Sequence, residues 1–351
     1  MKTKKNINII LLLFIFSINL LAQQRSFSEW DATAFCSTTK YHPFTYIKAD
    51  NNWEIIQALQ TPQTRQYLDS LGIKNTDSQM MLLRIEGLIS QEKDNKWVSL
   101  MPILDSLQTV DARIFSSKVA NDLYPKIKNE CCSLVNFLKQ EKCQENIYSI
   151  LFSYVLDGEI WKSFNSFKDL KSSATWDGEC WVLYYPRELS AGTNSHKEFN
   201  FCWSDKEPEF VYKELYSENF IDTFLEEYKN KGKIISPDIH EKALSLGIIH
   251  EDGTPRLPVI DSNDNNSMLN IISNQIIDTI VLYFTNSDII SVFQSKFKID
   301  PNKKKLACTM LYHEVMWDLM DLLIKDRIIQ YPILWRDMKK ASTYSVVFIK
   351  N

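Results

Sequence analysis

The sequence predicts an α+β protein, mainly helical, made of two tandem winged-helix-like units that each continue into a helical tail. Two apolar helical stretches, 147–161 and 306–325, have the composition of central core helices. Each is preceded by helices and then a β-hairpin, which is the element order of a winged helix. Short matching stretches also link the two passages, and they indicate an internal repeat.

The stretch 306–325 gives the clearest helical pattern. Glu314, Asp318, Asp321 and Lys325 recur at spacings of four, three and four, which places them in one narrow polar stripe. The rest of the circumference is almost entirely apolar. A helix of this kind is typical of a protein core.

The first unit is predicted to contain three helices, at 53–59, 61–72 and 78–86. Gly87 is a natural stop for the third helix. The segment 88–104 has polar residues between two apolar ends, so it is predicted to form a β-hairpin.

The second unit repeats this order in a shorter form. Helices are predicted at 218–231 and 236–247, followed by a hairpin at 248–260 that turns at Asp252-Gly253. The matching stretches are Gly87-Leu88-Ile89 with Gly247-Ile248-Ile249, and Pro102-Ile103-Leu104-Asp105 with Pro258-Val259-Ile260-Asp261. Chance agreement of apolar residues at strand ends is the alternative explanation.

The first 22 residues have the pattern of a secretory signal peptide. Three lysines precede an almost unbroken apolar run at 9–22, which is shorter than the roughly 20 residues of a membrane-spanning helix. We therefore expect cleavage after Ala22 and a periplasmic or secreted protein without stable membrane insertion. An uncleaved anchor is the alternative. The predicted divisions are the signal peptide (1–22), a first unit (23–165), a β-hairpin insert (166–212) and a second unit (213–351).

The insert carries two aromatic, strand-like segments, 176–185 and 199–203, around a turn-rich stretch. In a hairpin symmetric about Ala191, Cys180 faces Cys202, and aromatic residues fall opposite one another on the other face. Export favours disulfides, so the sequence predicts a Cys180–Cys202 disulfide.

The pairing of the other five cysteines stays open. Cys143 could reach Cys131 or Cys132 across a helix–helix turn, whereas nothing in the sequence suggests a partner for Cys36 or Cys308. The odd total of seven leaves at least one thiol free or intermolecular. Paired CxxC spacing is absent, so we expect no zinc site.

The glycines argue against three large enzyme classes. All eight are isolated, and the sequence contains no GxGxxG, GxxxxGK[ST] or GxSxG. Loops that cradle phosphates or hold a nucleophile elbow need clustered glycines. A dinucleotide enzyme, a P-loop NTPase and a standard α/β-hydrolase are therefore not expected, and no cofactor is expected either.

His313 and Glu314 are the candidate catalytic residues, because they begin like the HExxH motif of zinc peptidases. The second histidine of that motif is replaced by Trp317, which cannot bind zinc. A histidine at the rim of a core helix, hydrogen-bonded locally, is the simpler interpretation.

The charge of the chain argues against a nucleic-acid partner. Removing the signal removes three of the 40 basic residues and none of the 44 acids, which leaves the mature chain at −7. The candidate recognition helices, 78–86 and 238–246, each carry one basic residue and at least one acid. A duplex reader needs several Lys and Arg side chains to neutralise phosphates.

These observations favour a non-catalytic exported protein that binds another protein of the cell envelope. The first alternative is an envelope hydrolase whose site is assembled only in the fold. The second is a metal-binding protein that uses His313.

Overall fold

The structure, a computed structural model, describes residues 26–36, 42–164, 178–196, 199–206, 219–256, 258–332, 335 and 346–350. The fold is α+β and mainly helical, as the sequence predicts. The signal-peptide segment lies outside the described residues, as does Trp176 at the start of the predicted hairpin.

The elements up to residue 140 begin with a strand, pass through four short helices and a hairpin, and end in a long helix. They are β1 (Asp31–Cys36), α1 (Pro43–Ile47), α2 (Asn52–Ala58), α3 (Arg65–Ser70), α4 (Asp77–Ile85), β2 (Ile89–Gln91), β3 (Trp97–Ser99), β4 (Ile103–Leu104) and α5 (Ser106–Gln140). The helices α2, α3 and α4 form at the three predicted places.

A helix of mixed type and three strands follow. They are α6 (Ile147–Ser149), a π-helix (Ile150–Glu159), α7 (Ile160–Phe164), β5 (Gly178–Leu183), β6 (Ala191–His196) and β7 (Phe199–Ser204).

The remaining elements are again mainly helical. They are α8 (Phe220–Lys231), α9 (Pro237–Ser245), β8 (Val259–Asp261), α10 (Met268–Thr285), α11 (Ile289–Phe297), α12 (Lys304–Lys325) and β9 (Val346–Lys350).

The chain folds into two compact units, each assembled from three separate stretches. Unit 1 comprises the described residues within 1–113, 168–187 and 291–311, and unit 2 those within 114–167, 188–290 and 312–351. This division follows tertiary packing, whereas the ranges expected from the sequence follow the order of elements along the chain.

The helices α4 and α9 end in the same way. Gly87 and Gly247 follow them with φ of +68° and +70°. This left-handed conformation is favourable for glycine because it has no Cβ, and it closes the helix with a hydrogen bond back to its last turn. The closing bonds are Leu88 N to Leu83 O at 2.9 Å and Ile248 N to Ala243 O at 3.0 Å.

Unit 1 contains a three-stranded sheet and a hairpin. In the sheet, β5 lies in the centre, antiparallel to β1 and parallel to β4. The strands β2 and β3 form the predicted hairpin after α4.

Unit 2 contains a four-stranded sheet in the order β6-β7-β9-β8. Its strand β9 is antiparallel to β7 and parallel to β8. The strand β9 thus lies between two strands that come earlier in the chain.

The predicted hairpin between 176–185 and 199–203 is wrong. The stretch expected to be its turn forms β6, which pairs with β7 in a tighter hairpin, so that Cys202 faces Thr193. The strand β5 instead pairs with β1, where Cys180 faces Ala34. Almost every residue of β5 is buried, which suits a central strand covered on both faces. A hairpin register considers only two neighbouring strands and cannot detect a distant third one.

The helix α12 is a core helix, as predicted. Every residue from 306 to 316 is buried. The polar stripe begins inside the protein, because Glu314 is only 5% exposed, and it reaches the surface at Asp321.

In unit 2 the helices α5 and α12 run in the same direction and are joined by polar side chains. Ser116 Oγ donates to Asp318 Oδ2 at 2.6 Å, and Tyr124 Oη donates to Asp326 Oδ2 at 2.7 Å. Lys128 Nζ also lies 2.5 Å from Asp326 Oδ2. The stripe predicted on α12 and its continuation at Asp326 therefore fix the register of two parallel helices.

No single helix among the described residues is long and apolar enough to cross a bilayer. The helices α10 and α11 meet those criteria only together, and a bend of 58° separates them.

Candidate functional sites

The π-helix Ile150–Glu159 is the most unusual backbone segment of unit 2. Such helices are rare, and where they occur they are frequently at functional sites. Their wider turns bring residues five apart together. A Cβ on Gly158 would lie 2.6 Å from the carbonyl oxygen of Ser153. Glycine at 158 is therefore required by the close approach of the backbone.

The π-helix places Asp157 beside His313 of α12. His313 Nε2 lies 3.7 Å from Asp157 Oδ1, and the two side chains are 11% and 10% exposed. A carboxylate and an imidazole at this distance form an ion pair when the histidine is protonated.

Asp157 is also surrounded by hydrogen-bond donors. Trp161 Nε1 donates to its Oδ1 at 3.3 Å, and the backbone N–H and hydroxyl of Thr193 both reach the carboxylate. The Thr193 hydroxyl lies at 3.0 Å from Ser153 Oγ as well. Burial raises the pKa of Asp157, and the neighbouring His313 and these hydrogen bonds lower it only in part.

Aromatic rings enclose the histidine. The Trp161 ring stacks on the His313 ring with centroids 5.1 Å apart and planes inclined by 27°. Tyr312, the residue before, donates from its hydroxyl to the carbonyl oxygen of Leu156 at 2.7 Å. The pair therefore sits where α12 is attached to the π-helix by both polar and aromatic contacts.

The structure separates the two candidate catalytic residues. His313 joins Asp157, while Glu314 lies about 100° further round the helix and is buried at 5% exposure. Sequence reasoning missed Asp157, Trp161 and Thr193. A signal for Asp157 exists, since it is the first acid after ten consecutive apolar or neutral residues, 147–156.

The metal-binding alternative has no ligand set in the described part of the chain. No group of three or more His, Cys, Asp and Glu side chains there is placed to hold a metal ion.

Among the described side chains, those of Cys131, Cys132, Cys143 and Cys308 enter no disulfide. The hairpin register from which the Cys180–Cys202 disulfide was predicted does not form, and the disulfide stays a prediction. Burial raises the pKa of the thiols of Cys131 and Cys308 to about 12, so both stay protonated at neutral pH. The side chain of Cys36 lies outside the described residues.

A second candidate site is the exposed face of α4 in unit 1. Met81, Leu82 and Ile85 are 51%, 37% and 54% exposed. On a helix these positions form one contiguous arc of about 100°. The opposite face packs into the core through Met80 and Leu83. We name this arc the α4 stripe.

No protein family, curated protein or solved structure matches the chain.

Proposed function

We propose that the mature chain is an exported, non-catalytic module that binds another protein of the cell envelope. Export rests on the signal-peptide pattern of residues 1–22. Binding rests on the α4 stripe, because a short helix with three large apolar side chains facing solvent is suited to a groove on a partner.

We further propose that the chain contains two copies of one winged-helix-like unit. The support is the shared glycine stop of α4 and α9, together with the matching order of strand pairing in the two sheets. We call the helices and hairpin at the start of each copy its head. In each copy the strand after the head, β4 or β8, pairs parallel with a strand that follows the helical tail, β5 or β9. That strand in turn pairs antiparallel with the strand before the head, β1 or β7.

The hydrogen bonds of the two heads agree in finer detail. Leu100 N donates to Leu88 O, and Arg256 N donates to Ile248 O, both at 2.9 Å. Leu100 and Arg256 each lie two residues before the matched prolines. The match thus covers the helix end, the hairpin and the strand that follows.

The proposed repeat supplies an internal control for the α4 stripe. With Gly87 aligned on Gly247, the stripe matches Glu241, Lys242 and Ser245 of α9. The core position Leu83 matches Ala243, and both are fully buried. The same backbone thus tolerates polar residues at the stripe positions. The fold alone does not require the apolar residues of α4, which supports a role in binding.

The test transfers the polar residues of α9 to α4. Residues 23–351 are compared as wild type, as Met81→Glu with Leu82→Lys and Ile85→Ser, and as a control triple variant on α10. The control changes are Met268→Glu, Ile271→Lys and Leu282→Ser, at side chains that are 52%, 39% and 56% exposed.

Each protein is crosslinked in envelope extract, and the captured proteins are identified by mass spectrometry. We expect one partner to be captured by the wild type and the control but lost from the α4 variant, with an unchanged unfolding midpoint. Capture of the same partner by all three would exclude the α4 stripe. Self-association of the wild type that the α4 changes abolish would identify a second copy of this chain instead.

The second candidate function is an envelope hydrolase centred on His313. A carboxylate that holds an imidazole is the orienting half of many acyl-transfer sites, and the Asp157–His313 pair supports this candidate. Ester and peptide substrates would be assayed with the wild type and His313→Gln. This candidate requires hydrolysis by the wild type and none by His313→Gln; equal rates for both proteins, or none above buffer, would eliminate it.

A further inference from the structure

A cluster of aromatic rings in unit 2 lies beside the start of the π-helix. The Tyr148 ring meets the Trp335 ring edge-on with centroids 5.0 Å apart, and it lies 5.9 Å from the Tyr331 ring. Phe152 stacks on Tyr148 on one side and contacts Trp317 on the other, at 5.9 and 4.9 Å. The cluster therefore offers several π-faces in one place.

Two carboxylates stand at the exposed edge of this cluster. The Tyr331 hydroxyl is hydrogen-bonded to Asp321, and Glu188 lies near enough for its charge to act on Tyr331 as well. Asp321 and Glu188 are both exposed. Burial and these two acids raise the pKa of Tyr331. The edge is thus negative and borders on aromatic faces.

Two polar groups inside the cluster have no hydrogen-bond partner among the residues that the structure describes. They are the hydroxyl of Tyr148 and Nε1 of Trp335, whose residues are 3% and 8% exposed. Leaving a buried group of this kind unsatisfied destabilises the fold. Burial raises the pKa of Tyr148, and the neighbouring Cys202, Tyr331 and Asp321 add to this effect. Both groups can donate a hydrogen bond, so they call for an acceptor.

We infer that this cluster binds a small organic ammonium ion that carries an oxygen acceptor. The π-faces and the carboxylates of Asp321 and Glu188 attract the cation. The oxygen receives the hydrogen bonds of Tyr148 and Trp335. A neutral apolar compound would leave both the carboxylates and the buried donors unused.

The inference is tested by calorimetric titration of residues 23–351 with three probes. They are choline, tetramethylammonium, which lacks the oxygen, and the neutral isostere of choline in which a tert-butyl group replaces the trimethylammonium group. We expect choline to bind most tightly, tetramethylammonium about tenfold more weakly, and the neutral alcohol not measurably. Phosphatidylcholine vesicles form a fourth arm, which separates a lipid headgroup from a free ligand.

Variants assign the contacts. Asp321→Asn is expected to weaken choline binding about tenfold, since it removes one of the attracting charges. Tyr148→Phe is expected to erase the preference for choline over tetramethylammonium. The matched control is Asp122→Asn, because Asp122 also pairs with a tyrosine hydroxyl, that of Tyr283, away from the cluster.

Three results would overturn the inference. The first is equal binding of choline and its neutral isostere, which would indicate apolar contact only. The second is equal weakening by Asp321→Asn and Asp122→Asn. The third is no binding of any probe, which would mean that ordered water alone satisfies Tyr148 and Trp335.

Discussion

His313 of α12 and Asp157 of the π-helix are 156 positions apart in the sequence, yet Nε2 of the one lies 3.7 Å from Oδ1 of the other. Each side chain is about nine-tenths buried. A buried charge is costly unless it is paired and hydrogen-bonded, and Asp157 has both kinds of partner. The pair therefore joins two core helices by an interaction that depends on protonation.

The Asp157 carboxyl should make stability depend on pH. Its folded pKa is raised above the unfolded value of 3.8, mainly by burial. Its contribution is therefore complete below 3.8 and is lost as pH rises through the folded pKa. We expect the free energy of unfolding of Asp157→Asn to lack this fall. Urea unfolding of the wild type and the variant from pH 3 to pH 8 measures it.

His313→Gln should lower the free energy of unfolding by about 3 kcal/mol wherever the histidine is protonated, because it then removes the counter-charge of a buried carboxylate. It should also raise the pKa of Asp157 further, since His313 is the group whose charge lowers it. The control is His240→Gln, at a half-buried histidine whose described side-chain hydrogen bond is with the backbone carbonyl of Glu251. Equal losses for His240→Gln and His313→Gln would contradict the prediction.

Gly158→Ala should disrupt the π-helix. The added Cβ would lie 2.6 Å from the Ser153 carbonyl oxygen, which is backbone and cannot move aside cheaply. We expect a loss of about 2–3 kcal/mol by urea unfolding. Gly72→Ala is the comparison, because that site has φ of +72° but no atom within 4 Å of the new Cβ. The Gly72→Ala variant should lose only about 1 kcal/mol of unfolding free energy. A loss for Gly158→Ala that is smaller than the loss for Gly72→Ala would show that the π-helix can adapt.

Glu227 of α8 should stabilise the turn into α9. Its carboxylate accepts from the backbone N–H of Ser236 at 3.0 Å and from the Ser236 hydroxyl at 2.9 Å. Burial opposes its ionisation, but these bonds and Lys231 outweigh burial and lower the pKa to about 2. The contribution is therefore complete above the unfolded value of 4.5 and is lost as pH falls towards 2.

Glu227→Gln should accordingly cost about 1–2 kcal/mol at pH 7 and progressively less below pH 4. Thermal unfolding of the wild type and the variant at pH 7 and below pH 4 measures this loss. Glu226→Gln, at the exposed neighbouring position, should cost little at either. A pH-independent loss for Glu227→Gln would show that shape, and not charge, is what the site requires.

The Ser116–Asp318 hydrogen bond should contribute to the register of α5 and α12. Ser116→Ala removes a fully buried donor to a carboxylate, for which we expect a loss of about 1.5–3 kcal/mol. Ser133→Ala, at an exposed position of the same helix, should be nearly neutral. A double-mutant cycle with Asp318→Asn isolates the pair, and a coupling near zero would contradict its role.

Local signals predicted the ends of α4 and α9 and the burial of the core helix α12 well. Gly87 and Gly247 mark the ends of α4 and α9 because only a residue without a Cβ readily takes the left-handed conformation there. The near-continuous apolar surface of α12 predicted its burial because that surface has to be removed from water. Both signals act within a few residues.

The partners of the strands and of the polar groups lay beyond the sequence. The aromatic register of Cys180 and Cys202 was self-consistent, yet β5 joined β1 and β4, because any exposed strand edge can accept another strand. In the same way, His313 was visible as a candidate but its partner Asp157 was not.

By itself, then, the sequence determined the places of α2, α3, α4, α8, α9 and α12 and the burial of α12, since periodicity and backbone preference act locally. Only the tertiary structure decided that Asp157 meets His313, that Met81 and Ile85 face solvent, and that Tyr148 packs against Trp335. Those relationships depend on packing between residues far apart in the chain, and no local pattern records which distant side chain fills a given place.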